Sequence, residues 1–156
     1  MPPPYPLPLA SVVVKVLPEM VELEMTNPDR KREWREFLDQ FNEIPAKNSL
    51  YICGAGMNMF HVDPSGWLYP CLMIQNVKYP LWSGSFREGW AQGLVDFRSR
   101  ELNPDSPCSN CREKLACEYC PGFFAMENGD ERVPSDYLCS IGKRRFERIY
   151  STTSGG

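Results

Sequence analysis

The residues of this chain that are best suited to chemistry are its seven cysteines. Five of them form the pattern C-x2-C-x5-C-x2-C followed, after eighteen intervening residues, by one more cysteine, and two others lie upstream. Thiolates packed this densely repel one another unless a cation or oxidation joins them. The odd count excludes complete internal disulfide pairing, so a metal centre is the leading interpretation, and iron–sulfur or zinc is the choice to make. The cysteines are Cys53, Cys71, Cys108, Cys111, Cys117, Cys120 and Cys139.

The C-x2-C-x5-C-x2-C stretch alone could form one tetrahedral zinc site. Two residues between cysteines let one loop turn present both sulfurs to one ion, a spacing common to zinc and iron–sulfur sites. A single zinc would leave the other three cysteines without a role. A zinc-binding structural or interaction module without a redox role is therefore kept as the alternative, and a metal-free thiol or disulfide scaffold as a third interpretation.

Length and composition predict a small protein that relies on metal for part of its folding energy. The 156 residues carry a net charge of −3 with the basic residues spread out, which argues against a nucleic-acid partner. No apolar run approaches the ~18–20 residues that span a bilayer, and no signal-type run opens the sequence, so we expect no membrane partner and a cytoplasmic location. Fifteen prolines argue against a large regular core.

The segments before the cysteines predict one helix. Residues 1–26 read as an extended or linker segment, with a short strand over Ser11–Leu17 and a second, alternating strand signal over residues 20–25. Residues 27–49 read as an amphipathic helix and a connector. Asn27 is the expected N-cap, with a proline at the first helical position. The apolar stripe of this helix is Trp34, Phe37, Leu38 and Phe41.

The cysteine-rich region predicts a hairpin, an irregular loop and flanking helices. Residues 57–71 read as a β-hairpin with its turn at Asp63–Gly66, which brings Cys53 and Cys71 to the same end of a two-stranded ribbon. A helix is expected from about Ser85 to Arg100, weakened by two glycines. Residues 103–121 should be irregular, with a tight turn at Asn128-Gly129.

A last helix from Ser135 or Asp136 to Tyr150 should carry Cys139 in its first turns. Residues 142–156 are expected to be the end of this helix followed by a disordered tail. The fold class is therefore α+β, a small irregular metal-stabilised domain with a hairpin, a cysteine-rich loop and flanking helices.

The order and spacing of the seven cysteines resemble those of the SPASM domain, the C-terminal auxiliary iron–sulfur domain of radical S-adenosylmethionine enzymes. Cys53, twelve residues, Gly66, four residues and Cys71 match the family opening C-x(9–15)-G-x4-C, and the five later cysteines match its second half. The phrases CGAGMNMFHVDPSGWLYPC and CPGFFAMENGD…DYLC are similar to the family beyond the cysteines alone. The resemblance covers about residues 50–141, which we expect to form a SPASM-like auxiliary-cluster domain.

The resemblance implies two [4Fe–4S] clusters with interleaved ligands. Cys53, Cys71 and Cys120 would bind the first cluster. The second would be bound by Cys108, Cys111, Cys117 and Cys139. The family form has three residues rather than two before the cysteine at 120, and the eighth cysteine of some members has no counterpart in residues 45–52. The first cluster therefore lacks a fourth thiolate, and His61, Asp63 and Asp136 are better explained as structural, turn and cap residues.

The sequence lacks the C-x3-C-x2-C loop with which a radical enzyme binds the cluster that cleaves S-adenosylmethionine. The chain also has no room for the partial barrel of such an enzyme, so we do not expect it to be an enzyme by itself. Its expected function is electron transfer and substrate docking as the SPASM-like part of a radical enzyme. The expected partners are the catalytic domain, in cis or in trans, and a substrate peptide in a peptide- or protein-modification reaction.

Overall fold

The computed structural model describes residues 19–41 and 48–151. The strand predicted over Ser11–Leu17 and the predicted tail beyond residue 151 lie outside the described residues. The chain divides into two units, which we call the helical unit and the hairpin unit. The helical unit comprises Met1–Pro45, Arg112–Tyr119 and Asp136–Gly156, and the hairpin unit comprises Ala46–Cys111 and Cys120–Ser135. The single domain predicted over residues 50–141 stays a prediction.

The helical unit is built on two helices that pack against each other, α2 (Pro28–Phe41) and α6 (Asp136–Tyr150). Asn27 caps α2 as predicted, because its Oδ1 accepts the backbone N–H of Asp29 at 3.0 Å and that of Arg30 at 3.3 Å. Of the predicted apolar stripe, Leu38 is fully buried and Trp34 is half-buried, whereas Phe37 and Phe41 are exposed. The Tyr150 hydroxyl donates to Asp39 Oδ1 at 2.7 Å, which ties the end of α6 to α2.

The strand predicted over residues 20–25 is wrong, since residues 19–26 are helical and form α1. The alternation of this segment suggested a strand, but the buried side chains are Val21 and Met25, one helical turn apart. Leu23, which a strand would have buried with them, is exposed. The burial pattern of the segment therefore has the helical period, which the alternation in sequence concealed.

The hairpin unit contains a three-stranded antiparallel sheet in the order β1-β2-β3. Strand β1 (His61–Val62) pairs with β2 (Trp67–Tyr69) in the register His61↔Tyr69, so the predicted hairpin is confirmed, with shorter strands than the sequence suggested. Gly66 closes the predicted turn with a φ of 81°, a conformation that glycine adopts at no steric cost. The third strand, β3 (Tyr79–Pro80), was not predicted.

The helix predicted from Ser85 to Arg100 is present as three consecutive pieces. They are α3 (Phe86–Glu88), a π-helical turn (Gly89–Gly93) and α4 (Val95–Arg98). The π-helical turn begins and ends at glycines that lie against one ring: a Cβ at Gly89 would be 2.5 Å from the Tyr79 ring, and one at Gly93 would be 2.8 Å from it. The backbone thus approaches a tyrosine ring too closely for any other residue type.

A further helix, α5 (Pro121–Asn128), follows the irregular cysteine-rich loop and was not predicted. Gly129 ends it with a φ of 77°, so the predicted Asn128-Gly129 turn is a helix C-cap. Helices together with a small antiparallel sheet confirm the α+β class. Among the residues that the structure describes, no helix has the length and apolar character needed to cross a membrane.

Candidate metal centre

Cys53 lies exposed in a tight loop that the hairpin unit holds against the end of β2. The Gly54 carbonyl accepts the N–H groups of the residues at positions 57, 58 and 59, each at 3.0 Å. Gly56, with a φ of 66°, donates its N–H to the Pro70 carbonyl at 2.9 Å. Because Pro70 directly precedes Cys71, this bond places the loop of Cys53 beside the second cysteine.

Cys71 and Cys120 both accept backbone hydrogen bonds on sulfur. The N–H of Met73 points at the Cys71 Sγ at 3.3 Å. Cys120 is the N-cap of α5, and its Sγ accepts the Phe123 N–H at 3.4 Å. A helix N-terminus and N–H donors both favour a thiolate, the form of cysteine that binds metal.

Close packing of Gly122 brings the first turn of α5 to the segment after Cys71. A Cβ on Gly122 would lie 3.0 Å from the Met73 Cβ and 3.1 Å from a side-chain carbon of Ile74. Any side chain at this position would force these neighbours to move by a few tenths of an ångström. The sequence signal for it is Cys-Pro-Gly at positions 120–122, where the predicted irregular loop over residues 103–121 ends.

The pKa of the Cys120 thiol is affected by both other cysteines of the predicted first cluster. Burial raises the pKa of the Cys120 thiol, and the nearby Cys53 and Cys71 raise it further, while the N–H groups of Phe123 and Gly122 lower it. Charge effects of this kind act between thiols that lie near one another, whether or not their sulfurs face one point. The structure therefore brings together three cysteines from three separate segments of the hairpin unit.

A buried polar network behind this site was missed from the sequence. The Tyr51 hydroxyl donates to Glu131 Oε2 at 2.8 Å, and Arg100 Nη1 lies 2.6 Å from the same oxygen. Burial first, and then the Glu131 carboxylate, raise the pKa of Tyr51 far above its ordinary value, and Cys120 raises it further. The partners are 31 to 80 positions apart, so no local pattern could have indicated the network.

The four cysteines of the predicted second cluster are divided between the two units. In the hairpin unit, Cys108 is buried and its N–H donates to Ser106 Oγ at 3.3 Å, while Cys111 is half-buried. In the helical unit, Cys117 is buried and its Sγ donates to the Lys114 carbonyl at 3.1 Å.

Cys139 lies on α6 one turn before Gly142, and a Cβ on Gly142 would be 2.4 Å from the Cys117 Cβ. Because residues three apart share a helix face, the helical unit places Cys117 beside the face of α6 that carries Cys139.

The other residues considered from the sequence have structural partners. His61 lies against Tyr69, with 5.9 Å between ring centroids. Asp63 accepts the N–H groups of Ser65 at 2.9 Å and Trp67 at 3.0 Å, so it is a turn residue, and these bonds lower the pKa of its carboxyl. Asp136 is the acidic residue in the first turn of α6.

All seven cysteines lie within the described residues. Within residues 19–41 and 48–151, no three His, Cys, Asp or Glu side chains are arranged as a ready-made site for a metal ion. No protein-family model, curated protein or solved structure matches this chain.

Proposed function

We propose that this chain binds two auxiliary [4Fe–4S] clusters and acts as the SPASM-like part of a radical S-adenosylmethionine enzyme. The observation that carries the proposal is that Cys53 and Cys71 lie near enough to Cys120 to raise the pKa of its thiol, which burial also raises. These are the three ligands that the family resemblance assigns to the first cluster. The second set, Cys108, Cys111, Cys117 and Cys139, would bind the other cluster. The two clusters would transfer electrons for a catalytic domain in cis or in trans.

The surroundings of the three cysteines fit an iron–sulfur cluster. Backbone N–H groups already point at the sulfurs of Cys71 and Cys120, and hydrogen bonds to sulfur are one of the means by which proteins set a cluster's reduction potential. Cys71 and Cys120 are half-buried, whereas Cys53 is exposed. With three thiolates, one iron of the first cluster keeps a coordination position for a ligand from outside this set. The second set, with four thiolates, is coordinatively complete.

Apolar side chains beside these cysteines support the proposed docking of a substrate peptide. Met57, Met59 and Phe60 follow Cys53 closely in the chain, and their side chains are 67%, 52% and 54% exposed. Flexible methionines and an aromatic ring suit a surface that accepts apolar peptide side chains. The Phe60 ring packs against Phe86 at 5.0 Å between centroids, so part of this surface is already ordered.

Metal binding would also account for the folding of the cysteine-rich segments. The loop between Cys108 and Cys120 is irregular, and structural metal sites contribute about 10–16 kcal/mol at neutral pH, more than the net stability of a small domain. This proposed metal-stabilised character extends the α+β class established above.

The experiment is a metal and sulfide determination on anaerobically purified protein. We expect a brown protein with about eight irons and eight acid-labile sulfides per chain. Zinc without iron would overturn the proposal in favour of a zinc-bound interaction module. A colourless protein with seven titratable thiols and no metal after reconstitution would indicate the metal-free scaffold.

A further inference from the structure

Among the described residues of the helical unit, the most deeply buried charged side chain is that of Arg145, which lies on α6 three residues after Gly142 and six after Cys139. Its side chain is 6% exposed. Arg145 Nη1 donates to the Ala116 carbonyl at 2.6 Å, and its Nε donates to Glu24 Oε2 at 3.0 Å. A buried guanidinium is costly unless its charge and its donors are satisfied, so these contacts decide whether the unit can hold it.

Two further contacts close a network around the guanidinium. The ring of Trp34 lies beneath it, with the Arg145 Cζ 4.3 Å from the ring centroid. Trp34 Nε1 donates to Glu24 Oε1 at 2.8 Å, so both oxygens of that carboxylate are used within the network. The planar guanidinium is thus fixed both in its plane and on its face, an arrangement that lysine cannot reproduce.

The segment that Arg145 holds is under backbone strain. Glu118 has a φ of 55°, the only positive φ of a non-glycine residue within the described part of the chain. Arg145 Nη1 bonds the carbonyl of Ala116 on one side of Cys117 and lies 3.4 Å from Glu118 Oε2 on the other side. Strained residues of this kind persist only where their surroundings over-determine them, and they cluster at functional sites.

We infer that Arg145 is a positioning residue for Cys117. It clamps residues 116–118 in a strained conformation that presents Cys117 beside the Cys139 face of α6, and it adds a permanent positive charge next to an anionic cluster. The inference rests on the proposed second cluster for its redox part. Its positioning part concerns the thiol itself and holds for the metal-free chain.

The redox part is tested in a chain whose first cluster has been removed by Cys53→Ala, so that one cluster remains to be measured. Arg145→Met should lower the reduction potential of that cluster or reduce its iron content, because a positive charge favours the reduced cluster. Arg145→Lys keeps the charge but not the planar contacts. It should therefore restore the reduction potential, while the electron paramagnetic resonance spectrum, which reports the ligand geometry, should still differ from that of the parent chain. The matched control is Arg148→Met on the same helix, since Arg148 is an exposed partner of Glu22.

The positioning part is tested by the rate at which Cys117 is alkylated in the metal-free, reduced protein, mapped by mass spectrometry. We expect Arg145→Met to raise this rate about tenfold over Arg148→Met, which corresponds to about 1.4 kcal/mol. Equal rates in the two variants, with an unchanged potential and spectrum, would show that Arg145 is only a structural contact. If the wild type bound no iron, the proposed function would fail while the alkylation rates still decided the positioning role. Should Arg145→Met fail to fold, Arg145→Lys provides the same comparison.

Discussion

Replacement of Gly142 by alanine tests how tightly α6 packs against the segment of Cys117. In an exposed helix interior, alanine is about 1 kcal/mol more favourable than glycine. At Gly142, however, the new Cβ would lie 2.4 Å from the Cys117 Cβ and 2.9 Å from both its Cα and its backbone nitrogen. Carbon atoms at optimal separation are about 3.5–4.0 Å apart, so helix and segment must separate by about 1 Å.

The steric cost should exceed the gain in helix propensity. Overpacking costs about 1–3 kcal/mol, and the upper end applies because two of the three contacted atoms belong to the backbone. Subtracting the propensity gain leaves a net loss of about 2 kcal/mol in the free energy of unfolding. For a chain of this size the melting temperature should fall by about 4–8 °C.

The assay is thermal unfolding of the anaerobically prepared protein, followed by far-ultraviolet circular dichroism. Lys143→Ala is the matched control, because it changes an exposed neighbour on the same helix and should alter stability by less than about 0.5 kcal/mol. A Gly142→Ala protein as stable as the wild type, or more stable, would refute the packing of α6 on Cys117.

Three further predictions concern titration and metal removal. Asp63→Asn should make protein stability less dependent on pH in acid. The pKa of Asp63 is lowered in the folded state, so its carboxylate stabilises the fold at pH values above the ordinary pKa of 3.8, and this stabilisation is lost as the pH falls through the lower folded pKa. Identical melting curves of variant and wild type in acid would contradict this. Tyr150→Phe should remove a loss of stability that the wild type shows in alkali. Burial and the hydrogen bond to Asp39 raise the pKa of Tyr150 from 10.0 to about 12, so the stability that the protonated hydroxyl contributes disappears as the pH rises through that range. A wild type whose stability does not fall up to pH 12 would contradict this prediction. Iron chelation should abolish amide-exchange protection in the hairpin unit, over residues 50–111 and 120–135, while helix 28–41 and residues 116–118 of the helical unit stay protected. Unchanged exchange in the metal-free protein would disprove a folding role for the metal.

Features set by local chemistry could be predicted from the sequence. Asn27 followed by proline specifies a helix start, and the Asp63–Gly66 turn specifies a hairpin, because each depends on residues within a few positions of one another. The helix carrying Cys139 was predicted for the same reason. The grouping of Cys53, Cys71 and Cys120 came from the family resemblance, and their binding to one cluster stays a prediction.

Features set by tertiary packing could not be predicted. Helix α1 has an alternating sequence, and only its packing gives burial the helical period. The glycines at 89 and 93 looked like weak points of one helix, whereas the structure uses them to let a tyrosine ring approach the backbone. The Tyr51–Glu131 contact behind the candidate site joins residues 80 positions apart, and sequence patterns carry no information about such pairs.

The central claim is that Cys53 and Cys120, although far apart in sequence, bind the same cluster. The most direct test counts iron and sulfide in anaerobically reconstituted Cys53→Ala, Cys120→Ala and the double variant. Each single variant should lose about four irons, and the double variant should lose no more than either single variant, since the two residues act as one unit. Cys53→Ala combined with Cys139→Ala should instead lose about eight. A Cys53/Cys120 double variant that also loses about eight would contradict the account, because the two cysteines would then belong to different clusters.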